Sequence, residues 1–144
     1  VFDGSIQPEA YETGWNDLRL RYQGIVPPGE RPANAFDPGA KYHIPGNTPY
    51  ARYFLARILQ FQFFKAAADQ AGWTGPLHRC SFYGNKAIGE RLNKMLAMGA
   101  SRPWPEALEA FTGSRQMDGS AMIAYFQPLM TWLKEQNRGR DLGW

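Results

Sequence analysis

One cysteine, Cys80, and two histidines, His43 and His78, are all that 144 residues offer of the most versatile metal-binding side chains. The single cysteine excludes an intrachain disulfide framework and a four-Cys zinc site. No H-E-x-x-H occurs, and no Gly-rich loop is present to cradle a nucleotide phosphate. Charge of one sign is also scarce. Lys+Arg is 16 against Asp+Glu 13, a formal +3, too mild and too scattered to imply nucleic acid as a partner. The longest apolar stretch, residues 50–68, is broken by Arg52, Arg57, Gln60, Gln62 and Lys65. That is too polar for a membrane span of ~20 apolar residues, so the chain reads as soluble. The chain opens Val1-Phe2-Asp3-Gly4, with no initiator Met and no signal peptide. The expectation is a processed chain or a piece of something longer. What is abundant is apolar and aromatic: 44% hydrophobic and 15% aromatic. That excludes a disordered chain and suits one domain rather than two.

Helices punctuated by Pro and Gly account for the pattern, and almost nothing supports a sheet. Residues 9–23 read as a first helix, with Pro8 near its start, Gly24 closing it, and Tyr11, Trp15, Leu18 and Tyr22 on one stripe. Residues 24–47 turn to Pro and Gly, a long irregular connection of the kind that often carries function. Thr48 reads as N-cap and Pro49 as the first residue of a main helix running to about Ala71 and stopping at Gly72. Residues 84–98 and 103–111 read as two more helices, ending at Gly99 and Gly113. Asp118 is the expected N-cap of a last helix to Asn137, kinked at Pro128. The fold class is therefore all-α. Trp15, Trp73, Trp104 and Trp132 lie on or beside apolar helix faces and read as core.

The main helix is unusual for a small domain. Tyr50, Tyr53, Phe54, Leu55, Ile58, Leu59, Phe61, Phe63 and Phe64 wrap most of its circumference. A helix apolar nearly all round belongs inside a large protein, and 144 residues offer few layers to bury it. The expectation is the C-terminal part of a larger helical protein. A bundle centred on this helix, or an oligomer covering one face, would also bury it.

Reactive side chains are densest from Lys41 to Tyr53. Lys41 and His43 are two apart on Pro-flanked chain expected to be extended, which would put both on one side. Tyr50 and Tyr53 are three apart and would share a face in the first helical turn. An ammonium, an imidazole and two phenols near a helix N-terminus suit a carboxylate or an oxyanion. By residue type alone, Lys, His and Tyr in a loop are more often solvated or locally bonded than catalytic.

The wider pattern is more specific. The run from Asp37 through Lys41-Tyr42-His43-Ile44-Pro45, then Thr48-Pro49-Tyr50-Ala51-Arg52-Tyr53-Phe54 and Leu59-Gln60-Phe61-Gln62-Phe63, closely resembles the angiotensin-converting enzyme family of zinc peptidyl-dipeptidases. The resemblance extends upstream to Leu18-Arg19-Leu20-Arg21-Tyr22-Gln23-Gly24. Downstream it takes in Gly75-Pro76-Leu77-His78-Arg79-Cys80, Ser101-Arg102-Pro103-Trp104, Tyr125-Phe126-Gln127-Pro128 and Leu142-Gly143-Trp144.

It implies that residues 1–144 form a single C-terminal segment of a large helical zincin-type catalytic domain whose zinc-binding half is not included. The zinc ligands would then lie outside this chain, with no metal ligand in it. Lys41 and Tyr50 match the pair that grips the C-terminal carboxylate of a peptide substrate. His43 and Tyr53 match the donors that orient the substrate and stabilise the tetrahedral oxyanion. Trp15 with Arg19, and separately Arg52, match residues around two chloride sites. The implied activity is release of dipeptides from peptides with a free C-terminus, with the segment inactive by itself. The implied partners are such a peptide and the missing N-terminal part of the catalytic domain. The implied location is extracytoplasmic, periplasmic or secreted, with membrane association open.

Two departures stand out. Arg57 occupies a position where animal members usually carry an aromatic residue lining the pocket for the last substrate side chain, which opens a preference for acidic or polar ends. The family often pairs Cys80 with a cysteine at the position of Ala68, and that partner is missing here. With the absent glycosylation sequon at Asn47-Thr48-Pro49, this leans towards a bacterial member. Two other readings stay in play: a non-enzymatic helical module that binds peptide tails, and an inactive homologue.

Overall fold

The structure, a computed structural model, describes residues 3–141. Among them are five α-helices, three short 3-10 turns and no strand, so the all-α expectation holds. None of these helices is long and apolar enough to cross a membrane. The chain divides into two compact units, one of residues up to Tyr50 joined by Arg140 and its neighbours, the other Ala51–Gly139.

In the first unit a 3-10 turn, Pro8–Ala10, leads into α1, Tyr11–Gln23. Gly24 ends α1 in the left-handed conformation, φ 65°, and its amide donates to the Leu20 carbonyl at 3.1 Å. Glycine adopts that backbone at no steric cost, which is why the stop was visible beforehand. The long connection that follows is irregular except for a 3-10 turn at Asp37–Ala40. That turn is tied to α1. The Asp37 amide donates to Glu12 Oε2 at 2.6 Å, the Phe36 and Tyr11 rings lie 5.9 Å apart, and Pro38 is buried. Arg31 adds an ion pair to Asp37.

The second unit contains α2, Arg52–Gln70; α3, Lys86–Leu96; α4, Trp104–Thr112; and α5, Ser120–Gln136. α2 packs on α4 and α5, and α3 packs on α4. The core is a cluster of Ala67, Ile88, Met95 and Phe111, with Phe63, Phe82 and Leu92 packed against it. Phe63 and Phe111 meet edge to face at 5.7 Å, the arrangement the ring quadrupoles favour. Gln62 ties the α4–α5 connection to α2, donating to the Gln116 carbonyl at 2.9 Å and accepting from the Asp118 amide at 3.1 Å.

Asn85 caps α3, its side-chain oxygen accepting from the Ile88 amide at 3.3 Å. Asn85→Ala is expected to lower stability by about 1 kcal/mol, read as a drop in urea midpoint at constant m-value. An unmoved midpoint would show that the cap contributes nothing.

Two local expectations are corrected. α2 begins at Arg52, with Ala51 at its N-cap position, so Thr48 is not the cap and Pro49 is not helical. The Thr48 amide is instead committed to the His43 carbonyl at 2.8 Å. Asp118 lies one residue before the N-cap position of α5, which Gly119 takes. Its carboxylate accepts from the Ser120 amide and hydroxyl, and these donors hold its pKa below the usual carboxylate value. Pro128 lies inside α5, where the sequence placed it.

Burial explains a third correction. Trp104 and Trp132 are exposed rather than core, and Trp73 is partly exposed. α2 is buried at one end only. Ala67 and Ala68 are sealed, whereas Tyr53 and Phe54 in the first turn are 71% and 65% exposed.

Candidate functional site

The stretch from Lys41 to Thr48 is the centre of the candidate site, and it is not extended. Lys41 itself has extended dihedrals, φ −96° and ψ 111°. From there the chain winds tightly: Ile44 N–H to Lys41 O at 2.9 Å, Gly46 N–H to Tyr42 O at 2.8 Å, Asn47 N–H to Ile44 O at 3.1 Å. A side chain on Gly46 would place its Cβ 2.8 Å from the Tyr42 carbonyl, so the close approach requires glycine. Asn47 completes the turn at φ 48°, a conformation asparagine tolerates better than most residues. The alternation that was to put Lys41 and His43 on one side therefore does not operate.

The winding brings three rings together instead. The His43 imidazole stacks on Tyr42 at 4.0 Å between centroids and lies 3.9 Å from the Tyr50 ring. His43 and Tyr50, two of the expected site residues, thus meet. Tyr42 was not singled out in the sequence, although its position beside His43 was the available signal. Lys41 is exposed at the start of the same turn. Tyr50 lies just before α2, so it does not share a helical face with Tyr53 as expected. Arg52 and Tyr53 open α2 in the second unit, both exposed.

α1 contributes the other wall. A cavity of about 280 Å³ lies between Tyr11, Trp15 and Leu18 of α1 and His43 and Ile44 of the turn. Three residues of the α1 stripe, Tyr11, Trp15 and Leu18, therefore line a mostly apolar hollow against the imidazole. Trp15, expected near an anion, is among these lining residues. Arg19, half-buried, lies one helical turn further along α1. An indole N–H and a guanidinium are donors that suit an anion.

Among the described residues no group of three or more His, Cys, Asp or Glu side chains converges to hold a metal ion. The donor set of these residues does not make a zinc site. Cys80 is a free, partly buried thiol whose pKa is raised by burial, which fits a small apolar side chain rather than a nucleophile.

The family model for angiotensin-converting enzyme, peptidase M2, matches residues 1–144, the entire chain. The chain belongs to this family. It is 52% identical over 146 residues to angiotensin-converting enzyme of Oryctolagus cuniculus and 51% identical over 146 to that of Mesocricetus auratus. Each alignment covers 100% of this chain and 11% of the relative. The angiotensin-converting enzyme of Theromyzon tessulatum is 42% identical over 144 residues, again across 100% of the chain and 23% of the relative. The resemblance seen around Lys41 to Tyr53 is therefore a property of the whole sequence, and the family is one of peptidases. The chain spans a small share of these relatives' length.

Proposed function

We propose that this chain is the C-terminal segment of a peptidyl-dipeptidase catalytic domain, which releases dipeptides from peptides with a free C-terminal carboxylate. The observation that carries the reading is the ring cluster of His43 with Tyr50, on a turn that begins at Lys41. In this reading Lys41 and Tyr50 grip the terminal carboxylate as ammonium and phenol donors. The distance from that grip to the reacting carbonyl sets the product length at two residues. His43 and Tyr53 donate to the substrate carbonyl as its oxygen gains charge. Trp15, Arg19 and Arg52 hold chloride. The zinc of the family is held by residues outside these 144, in the N-terminal part of the catalytic domain, and the segment by itself is inactive. Its large exposed apolar surface, including Phe54, Leu129, Trp132 and Leu133, supports burial against that missing part.

The test is dipeptide release by the intact protein containing this chain, with Lys41→Ala beside it. Loss of one charged donor at the carboxylate is expected to raise KM roughly tenfold or somewhat more. Peptides ending in a free carboxylate should suffer and C-terminally amidated ones should not. Equal losses on both would remove Lys41 from the grip. Failure of the intact protein to release any dipeptide would favour the peptide-binding module or the inactive homologue.

A further inference from the structure

Tyr42 is 70% exposed, so its ring adds little buried apolar surface to the first unit. What the ring does touch is the His43 imidazole, stacked at 4.0 Å between centroids with 30° between the planes. Tyr50 lies 3.9 Å from the same imidazole at 33°. At that separation rings meet only by their faces, and two phenols so close to one centroid cannot share a face. They therefore cover opposite sides of the imidazole. Turning His43 about its Cβ–Cγ bond would drive the ring edge into one phenol or the other. The backbone is pinned as well. The His43 carbonyl accepts from the Thr48 amide at 2.8 Å, and the Tyr42 carbonyl accepts from the Gly46 amide at 2.8 Å.

We propose that Tyr42 is a positioning residue: its ring closes one face of the His43 imidazole and fixes the direction in which the imidazole N–H donates. The inference rests on the proposed reading of His43 as a donor to the substrate carbonyl. That task tolerates little misplacement, because an error of about 1 Å in productive geometry can cost a hundredfold in rate. Tyr50 guards the other face, but in the same reading its hydroxyl grips the substrate carboxylate. A change at Tyr50 therefore disturbs binding too, whereas Tyr42 reports on the stack alone. The aromatic face of Tyr42 does the holding and its hydroxyl is dispensable. Tyr42 takes no part in bond making.

The experiment uses the intact protein and one peptide with a free C-terminal carboxylate. Tyr42→Leu removes the aromatic face and is expected to lower kcat roughly ten- to a hundredfold, while KM moves by less than about threefold. Tyr42→Phe keeps the face and should retain most of the parent kcat. In a His43→Ala background, Tyr42→Leu should cause almost no further loss, because a residue that acts through the imidazole then has nothing left to hold. Unchanged kcat in Tyr42→Leu, an equal loss in Tyr42→Phe, a raised KM in place of the lowered kcat, or a full further loss in the His43→Ala background would each overturn the inference and leave dipeptide release standing. No dipeptide release by the parent protein would overturn both.

Discussion

Tyr53→Phe is expected to lower kcat of the intact protein roughly a hundred- to a thousandfold while KM moves little. The substitution removes one oxygen and keeps the ring. Tyr53 is exposed in the first turn of α2, so little buried packing is lost. On the proposed reading, what goes is a hydrogen-bond donor to the carbonyl oxygen as it gains negative charge. A single donor of this kind is worth ~2.7–4 kcal/mol of barrier. It acts mainly in the transition state, because the ground-state carbonyl carries little charge, so the loss belongs in kcat. Steady-state kinetics on one dipeptide-releasing substrate, with circular dichroism to verify the fold, is the check. A raised KM at unchanged kcat would make Tyr53 a binding residue and remove it from the chemistry.

The second large effect concerns stability. Phe111→Ala is expected to destabilise the second unit by ~3–5 kcal/mol. Phe111 is 3% exposed and stands at the centre of the only buried cluster defined among the described residues of that unit, with Ala67, Ile88 and Met95. Its ring also meets Phe63 edge to face and lies 6.0 Å below the Arg91 guanidinium carbon. Removing it leaves a cavity that three helices, α2, α3 and α4, would have to collapse around. Small domains are stable by roughly 5–15 kcal/mol, so the variant should unfold at much lower urea or not fold at all. Leu108→Ala, at a neighbouring buried position on α4, gives a second reading of the same core. A shift below about 1 kcal/mol in both would show that this cluster is not the core.

How far the sequence reached can be followed element by element. The ends of α1 and α4 were legible because Gly24 and Gly113 adopt the left-handed backbone that closes a helix. α3 was legible as a helix stopping before Gly99, and it runs Lys86–Leu96 within the expected span of 84–98. The start of α2 was not. Thr48-Pro49 carries a sound local signal for a helix start, yet the Thr48 amide is taken by His43, five residues earlier. Expecting an extended Lys41–His43 segment failed for the same reason, since no period-two pattern anticipates a turn closed by Gly46 on Tyr42.

By itself, the sequence determined the helical class, most helix stops and the family, because these depend on backbone preferences and on long matching runs of residues. It also showed that α2 is too apolar all round for a small domain to bury. Only the tertiary structure decided which imidazole meets which phenol, and that the α1 stripe lines a hollow beside His43. Such juxtapositions arise from hydrogen bonds and ring contacts between residues whose spacing follows no helical or strand period. The chain has to be folded before those contacts exist.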